Sequence, residues 1–412
     1  MGNLYNLSIQ LYSILMKGIS LFHPKAKLWV NGRQNILDRI TKAKLGNTPV
    51  ILIHCSSLGE FEQGRPLLEE IKKKYPDYKI VLSFFSPSGF EIQKNNPLAD
   101  LVLYLPIDTL KKVQAFTQAL NIKKAYFIKY EFWPNLFAAL KNSGSSIYMI
   151  SAIFRPDQYF FKPNAKWYRN NTLGKVDHFF VQNQQSADIL QEHHFTNYSI
   201  TGDTRFDRVS ELNQTSFTDS KIEAFTQSSK KVLVAGSTWL EDEKLIFKFL
   251  ENSESSWKLI LAPHEIHEQH LKQIESLSTG LKIIRYSTTM DTQLIKDADV
   301  LLIDNIGKLK YLYRFGTLCY IGGGFGVGIH NTLEAATYGK PVLFGPKFQK
   351  FEEAKQLIEI GAGISISTEE ELIASIADFI NEENYTTASK AASHFIHQHK
   401  GATDIIVQNT LQ

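Results

Sequence analysis

The sequence has little cysteine. Its 412 residues include two, Cys55 and Cys319, which lie far apart in apolar runs typical of a buried strand or its end. Neither a disulfide framework nor a zinc site is suggested by this pattern. The pattern fits a protein of a reducing compartment.

The sequence also lacks an excess of charge of one sign. Lys and Arg number 45 against 42 Asp and Glu, a balance that does not indicate a nucleic-acid-binding protein. The first stretch is locally basic, with Asp38 set against seven cations, and we expect that end to meet an anionic surface. The seven are Lys17, Lys25, Lys27, Arg33, Arg39, Lys42 and Lys44.

The N-terminal run from Leu4 to Phe22 lacks the marks of a signal peptide, which are a positive charge before the apolar stretch and a small-residue cleavage site after it. Its 19 residues, if helical, span about 28 Å, which is close to the thickness of a bilayer core. A polar stripe containing a lysine favours a helix that lies in the membrane interface. An amphipathic helix packed on its own domain is the alternative. The stripe consists of Asn6, Gln10, Ser13, Lys17 and Ser20.

The length and the apolar pattern predict two α/β domains. Continuous Val, Ile, Leu and Phe runs alternate with amphipathic stretches, which is typical of parallel strands covered on both faces by helices. The predicted segments are an amphipathic, basic membrane-association segment over 1–45, a Rossmann-like domain over 46–208, a Ser/Thr-rich linker over 209–230, a second Rossmann-like domain over 231–385 and a C-terminal helix over 386–412 that crosses back to the first domain.

Carboxylates follow two predicted strands of the first domain, where ligands of open parallel sheets bind. Glu60 in HCSSLGEF opens a helix and is a candidate general base, although a glutamate in a first helical turn is also favoured by the helix dipole. For Glu131 in KYEFWPN, capping and catalysis compete. Arg205 in TGDTRFDR either meets a developing negative charge or pairs with Asp203 or Asp207.

The second half carries a glycine-rich loop that begins at Gly322 and includes Gly323 and Gly324. A helix predicted to begin near Asn331 points its free amide groups at this loop, an arrangement that suits phosphate binding. Asn331 and Glu334 are also spaced as a capping box, which is the rival interpretation.

Two other strand ends of the second half carry polar side chains. Ser237 and Thr238 either cap the next helix or bind phosphate. His264, His267 and His270 lack the i, i+4 pair of zinc peptidases, so the spacing does not predict a metal site.

In this order and spacing, the motifs resemble those of the Kdo (3-deoxy-D-manno-octulosonic acid) transferases of glycosyltransferase family 30. The segments that carry the resemblance cover essentially the whole chain: LYSILMKG, SSLGE, SPSGFE, YEFWPN, SAIF, VQN, GDTRFD, GSTWLEDE and HNTLEAATYGKPVLFGP.

The resemblance implies a GT-B architecture, with two Rossmann-like domains facing a cleft. It also implies a metal-independent, cofactor-free, inverting transferase on the cytoplasmic face of the inner membrane, which moves Kdo from CMP-Kdo to a lipid A precursor (lipid IVA) in lipopolysaccharide synthesis. Glu60 matches the family's proton acceptor, and Glu131 and Arg205 match positions assigned to transition-state stabilisation. The implied CMP-Kdo contacts are Pro263, His264, Ile306, Gly307, Lys308, Asn331, Thr332, Leu333 and Glu334.

The chain departs from the family pattern at three places. Pro263, His264 and Glu265 stand where Pro-Arg-His is common, so a permanent cation is replaced or lost. Arg205 replaces the usual lysine, which keeps the charge and alters its geometry, and Thr332 replaces a proline. The rival functions are a UDP-sugar-dependent GT-B transferase acting on a lipid-linked acceptor, a sugar-nucleotide epimerase, and a catalytically silent binding protein.

Overall fold

The computed structural model describes residues 2–227, 230–253, 257–278 and 280–411. The chain forms two compact units. The first unit comprises Met1–Arg208 and His399–Gln412, and the second comprises Val209–Gln398.

The first unit is built on a parallel sheet. Apart from the edge strand Tyr198–Ile200, its strands are largely buried, because their continuous apolar runs are covered on both faces. Within the described residues the sheet has seven strands in the order β3-β2-β1-β4-β5-β6-β7. The strands are β1 Val50–Cys55, β2 Lys79–Phe84, β3 Leu101–Tyr104, β4 Ile122–Ile128, β5 Ser146–Ala152, β6 His178–Val181 and β7 Tyr198–Ile200.

Helices connect these strands and precede the first of them. Short 3-10 helices at Tyr159–Phe161, Pro163–Ala165 and Leu173–Lys175 lie between β5 and β6. The α-helices are α1 Gly2–Ile19, α2 Pro24–Gly32, α3 Ile36–Ala43, α4 Leu58–Lys74, α5 Pro87–Gln93, α6 Leu110–Gln118, α7 Pro134–Asn142, α8 Lys166–Asn171, α9 Gln184–Glu192 and α10 Arg205–Ser210.

Helix α1 rests on the first unit through polar contacts. The Tyr5 hydroxyl donates to Asp108 at 2.6 Å, and the Asn135 amide donates to the Asn6 side chain at 2.7 Å. On the opposite side, leucine and isoleucine side chains are between 58% and 70% exposed. We call these residues the apolar face of α1: Leu4, Leu7, Leu11, Ile14 and Leu15.

Two of the cations predicted to form a basic surface have structural roles instead. The Arg33 guanidinium lies 3.9 Å from the centre of the Trp29 ring and donates to the backbone oxygens of Leu105 and Phe85. Burial lowers the pKa of Arg33 to about 9. Arg39 lies over the ring of Phe90. The expected basic surface is therefore smaller than the sequence indicated.

The second unit repeats the architecture with a second parallel sheet. In the part of the chain that the structure describes, this sheet has seven strands in the order β10-β11-β9-β8-β12-β13-β14. The two parallel-sheet α/β domains predicted from the sequence are thus confirmed. The strands are β8 Lys231–Thr238, β9 Trp257–Pro263, β10 Ile283–Arg285, β11 Val300–Leu302, β12 Leu318–Ile321, β13 Val342–Phe344 and β14 Gly363–Ser365.

The stretch expected to be a linker, 209–230, is part of the second unit. It contains a 3-10 helix, Glu211–Gln214, and a helix capped by Asp219 whose Ile222 and Phe225 are fully buried. Residues 228 and 229 of the predicted linker lie outside the described residues. A further 3-10 helix is Tyr313–Phe315, and the α-helices are α11 Ser220–Thr226, α12 Leu240–Asn252, α13 Glu268–Glu275, α14 Thr292–Lys296, α15 Leu309–Leu312, α16 Leu333–Ala336, α17 Glu352–Glu359, α18 Glu369–Ile380 and α19 Glu382–His399.

The C-terminal segment predicted as one helix over 386–412 is two helices. Helix α19 ends at His399, and α20, Ala402–Thr410, begins after Gly401, whose φ of 111° breaks the helical path. Helix α20 belongs to the first unit, where the Tyr126 hydroxyl donates to Thr410 at 2.7 Å. The Asp207 carboxylate accepts bonds from the backbone and hydroxyl of Thr403.

Of the helices in residues 2–227, 230–253, 257–278 and 280–411, none combines the length and the hydropathy that crossing a membrane requires.

Candidate functional site

Glu60 lies in the first turn of α4, directly beyond the carboxyl end of β1. The Ser57 hydroxyl caps this helix by accepting from the Glu60 amide at 3.5 Å. The Glu60 carboxylate accepts from the backbone amide of Ser56. The carboxylate is held in place at the strand edge, a position that suits both the helix-dipole and the base interpretations of Glu60.

The electrostatics of Glu60 favour the base interpretation. Burial and then the nearby Glu131 carboxylate raise the pKa of the Glu60 carboxyl, the Ser56 amide and Lys129 oppose the rise, and the net pKa is about 7. A carboxylate with a pKa near the working pH is suited to accept a proton and release it again. A glutamate present merely to complement a helix dipole needs no raised pKa.

Glu131 follows β4 and precedes α7, and a buried histidine approaches it. His54 of β1 is fully buried, and its Nε2 lies 3.7 Å from the Glu131 carboxylate, while its Nδ1 contacts the Ser83 hydroxyl at 2.9 Å. The helix N-cap position belongs to Trp133, so Glu131 does not cap α7. The sequence analysis missed His54 because a histidine within a strand gives no local signal of function.

Arg205 is engaged with Asp203, as the second of its two interpretations predicted. Its Nε donates to the Asp203 carboxylate at 2.9 Å, and Asp203 also accepts from the Gln63 amide at 2.8 Å. Asp203 is buried, so this ion pair is not the surface pairing that was expected. Although burial alone raises the pKa of Asp203, the Arg205 guanidinium overrides this effect and the pKa is lowered.

In the second unit, the hydroxyl of Thr238 points into the interior. Thr238 is fully buried and donates to Glu243 at 2.9 Å, while the N-cap position of α12 belongs to Trp239. The expected capping role of Thr238 is therefore absent. Ser237 has a φ of 55°, a strained conformation for a residue with a side chain, at the carboxyl end of β8.

Three aromatic rings stack beside this turn. The His264 ring lies 4.7 Å from that of Trp239 and 4.6 Å from that of His330, measured between ring centres. Burial, with His264 next to it, lowers the pKa of His330 to about 4, so His330 is neutral at pH 7. Pro263, the last residue of β9, is buried. The stack offers flat rings at the position where the family commonly has an arginine.

The glycine-rich loop is explained largely by close packing, which the sequence did not reveal. A Cβ on Gly322 would lie 2.4 Å from the Ser237 oxygen, and one on Gly324 would lie 2.5 Å from the Gly345 Cα. Gly323 adopts a φ of 94° and donates its amide to the buried Asp242 carboxylate at 2.9 Å. The Gly323 amide is thus directed at a protein carboxylate.

Replacing Gly324 with alanine is expected to lower stability by about 1 to 3 kcal/mol, because the new Cβ overpacks against backbone that cannot rotate away. The measurement is the urea midpoint of the purified variant. Gly326→Ala is the matched control in the same loop, since a Cβ there would lie 3.6 Å from the Gly323 oxygen, an ordinary van der Waals contact. Equal midpoints for the two variants would contradict the packing explanation.

Asn331 contacts Leu333 and Glu334 beside the start of α16, but the N-cap position belongs to Thr332 and not to Asn331 as the capping-box interpretation required. The Asn331 side-chain oxygen accepts from the Leu333 amide at 3.1 Å, and its amide donates to Glu334 at 3.4 Å. Helix α16 is four residues long, so its dipole is weaker than the sequence indicated. Thr332 and Leu333 are fully buried, and the Thr332 hydroxyl has no hydrogen-bond partner among the described residues.

The segment Ile306 to Lys308 combines exposure with an ion pair. Ile306 is 89% exposed, and Gly307 has a φ of 96°. The Lys308 ammonium donates to Asp219 at 2.9 Å.

The sequence analysis also missed Lys347, which donates to the Gly326 oxygen at 2.8 Å and secures the glycine-rich loop. Its position after β13 gave no such indication.

Two parallel-sheet α/β units, with carboxylates at the strand edge of one and a glycine-rich loop at the strand edge of the other, fit the GT-B fold class that the sequence predicted. Residues 33–208 match the family described as 3-deoxy-D-manno-octulosonic-acid transferase (kdotransferase). The match covers 176 of the 412 residues and makes this part of the chain similar to the Kdo transferases.

Relatives extend the similarity beyond the matched segment. A bifunctional glycosyltransferase/methyltransferase from Fusobacterium nucleatum subsp. nucleatum is 26% identical over 400 residues, which cover 91% of this chain and 59% of that protein. A 3-deoxy-D-manno-octulosonic acid transferase from Chlamydophila psittaci is 27% identical over 371 residues, which cover 87% of this chain and 84% of that protein.

The fold is also that of a solved epimerase. UDP-GlcNAc 2-epimerase from Neisseria meningitidis superposes with a TM-score of 0.62 at 17% identity, covering 88% of this chain and 99% of that chain. At this identity the likeness concerns the fold alone. The roles of the individual site residues remain predictions.

Proposed function

We propose that the protein transfers Kdo from CMP-Kdo to a lipid A precursor at the cytoplasmic face of the inner membrane, with inversion at the anomeric carbon and with Glu60 as general base. The match of residues 33–208 to the Kdo transferase family model supports the Kdo donor. The observation that carries the catalytic assignment is the Glu60 carboxyl, fixed by the Ser56 amide beyond β1 with its pKa raised to about 7.

The proposed step is a single displacement. The Glu60 carboxylate removes the proton from a sugar hydroxyl of the acceptor as that oxygen attacks the anomeric carbon of Kdo. The bond between this carbon and the CMP phosphate breaks with its electron pair, and CMP departs as an anion. Glu60 is left protonated and returns its proton to solvent, which a pKa near 7 makes rapid.

Charge must be stabilised on the departing phosphate. Among the residues predicted to bind CMP-Kdo, those that are exposed or half-buried include His264, Asn331 and Lys308. The buried residues Thr238, Thr332 and Leu333 support the site by shaping its walls, and Gly323 supports it through the loop conformation. Arg205 and Glu131 are proposed to act in the first unit, where Asp203 orients the Arg205 guanidinium.

The apolar face of α1 supports an acceptor that resides in a membrane. Five exposed leucine and isoleucine side chains lie on one side of a helix whose other side contacts the first unit. Lys17, Lys25 and Lys27 are exposed nearby in sequence and suit an anionic surface. We propose that α1 lies in the membrane interface and brings the protein to its lipid acceptor.

The test is incubation of the purified protein, in detergent, with freshly generated CMP-Kdo and a tetra-acylated lipid A precursor, with the lipid followed by mass spectrometry. One or more mass increments of Kdo support the proposal, and their number identifies the product. Transfer from UDP-sugars with none from CMP-Kdo would replace the proposal with the UDP-sugar alternative.

The pH dependence of transfer follows from Glu60. Because the base must be ionised and its pKa is raised to about 7, kcat/KM is expected to rise about tenfold per pH unit at low pH and to level off above about pH 8. The measurement is the initial rate at subsaturating acceptor between pH 5 and pH 9. A profile that is already flat at pH 5.5 would show that the base is an ordinary, solvated carboxylate.

A further inference from the structure

A cluster of metal-ligating side chains lies at the start of α13, in the second unit. Glu265, His267 and His270 each offer one ligand atom, and these atoms lie within 4.8 Å of one another. The sequence spacing argued against a metal, because it lacks the i, i+4 pair. The structure brings the side chains together by a different route, with His267 in the N-cap position and His270 in the first turn.

The inner histidine of this cluster is held as a ligand would be. His270 is buried, and its Nε2 lies 2.9 Å and 3.0 Å from the two oxygens of Glu243, which is itself fully buried. Because Nε2 contacts the Glu243 carboxyl, Nδ1 is the ring nitrogen of His270 that is left for a metal ion. A carboxylate behind a histidine is the usual support of a metal-bound imidazole.

The outer two side chains already lie at ligand spacing. His267 Nε2 and Glu265 Oε2 are 3.1 Å apart, close to the separation of about 3.3 Å between neighbouring ligands of a tetrahedral ion bound at about 2.0 Å. His267 Nδ1 accepts from the His270 amide at 3.1 Å, which directs the opposite nitrogen, Nε2, away from the helix. Glu265 and His267 are exposed, so small side-chain rotations bring them toward His270.

We propose that Glu265, His267 and His270 bind a divalent transition metal ion of the zinc class, with water completing the coordination. Two imidazoles and one carboxylate suit Zn²⁺, Co²⁺ or Ni²⁺ rather than Mg²⁺ or Ca²⁺, which prefer oxygen ligands. The cluster lies in the second unit, whereas Glu60 lies in the first. It also does not depend on the proposed function.

The test uses tag-free, metal-stripped protein titrated with Co²⁺, followed by visible absorption, and with Zn²⁺ by calorimetry. We expect saturable binding of about one ion per chain, with the intense absorption of a low-symmetry, four-coordinate site. His267→Asn keeps a side chain that can cap α13 and removes the imidazole ligand. It is expected to weaken binding at least about a hundredfold, as is Glu265→Gln, because loss of a ligand costs more affinity than loss of a residue that only orients a ligand.

The matched control is His397→Asn, which removes an exposed histidine of α19 outside the cluster and should leave the affinity unchanged. Circular dichroism confirms that each variant is folded. Absence of saturable binding in the unaltered protein overturns the proposal. So does binding that survives in both cluster variants, or displacement of Co²⁺ by an equal concentration of Mg²⁺.

Discussion

Glu60→Gln is expected to reduce kcat for Kdo transfer by about 10² to 10⁴-fold, the range in which a positioned general base contributes. Glutamine has nearly the same shape, and its side-chain oxygen can still accept the Ser56 amide that holds Glu60. The glutamine side chain cannot, however, remove the proton from the sugar hydroxyl of the acceptor. The measurement is the rate of product formation by mass spectrometry at saturating CMP-Kdo.

The same variant supplies its own test of folding. A carboxyl whose pKa is raised by burial binds a proton more tightly in the folded chain than in the unfolded one, so its contribution to stability is lost as pH rises from about 4.5 to 7. At pH 8, Glu60→Gln should therefore unfold at an equal or higher temperature. Glu62→Gln, in the same helix, is the control for activity, and a comparable loss in that variant would contradict a specific role for Glu60.

Charging the apolar face of α1 is expected to remove the protein from membranes. The double variant Leu7→Glu, Leu11→Glu should lower the partition coefficient onto vesicles of phosphatidylethanolamine and phosphatidylglycerol by more than about 10²-fold, since burying each leucine contributes about 1.5 to 3 kcal/mol. Sedimentation of the protein with the vesicles measures this loss. Both side chains are exposed, so the fold should be unaffected.

Added negative charge also weakens binding to an anionic surface, and the control must separate this effect. Asn3→Glu, Gln10→Glu introduces the same charge at exposed polar positions of the same helix. It should retain most of the binding. In detergent, both double variants should transfer Kdo at the unaltered rate, because α1 is proposed to deliver the enzyme and not to react. Equal vesicle binding by the two would contradict insertion of the apolar face.

The strands of both sheets could be predicted because each strand is marked by its own continuous run of apolar residues. Runs such as PVILIHC and TLCYIGGG are apolar throughout, and β1 and β12 are fully buried. The Ser- and Thr-rich composition predicted a linker over 209–230. It concealed Ile222 and Phe225, which are fully buried in the second unit. Burial of two residues in a polar stretch depends on what lies across from them, and the sequence does not show it.

The candidate site was predictable in position and less so in chemistry. Glu60 could be placed at a strand end, but its pKa depends on burial and on Glu131, which lies 71 positions away in the chain. The glycine-rich loop suggested a phosphate site. In the structure, Gly345 lies so close to Gly324 that no side chain fits there. These are contacts between segments remote in sequence. Local spacing therefore could not distinguish a ligand from a neighbouring backbone.

The position of α20 determines the order in which the protein can be completed during synthesis. Ile406 and Val407 lie in the same core cluster as Phe61 of α4, the helix that begins just before Glu60. The ribosome makes Ile406 about 200 residues after Arg208, which at about 5 to 20 residues per second is a delay of roughly 10 to 40 seconds. Until then, the core cluster around Phe61 lacks Ile406 and Val407. The first unit is therefore the first to be started and the last to be completed.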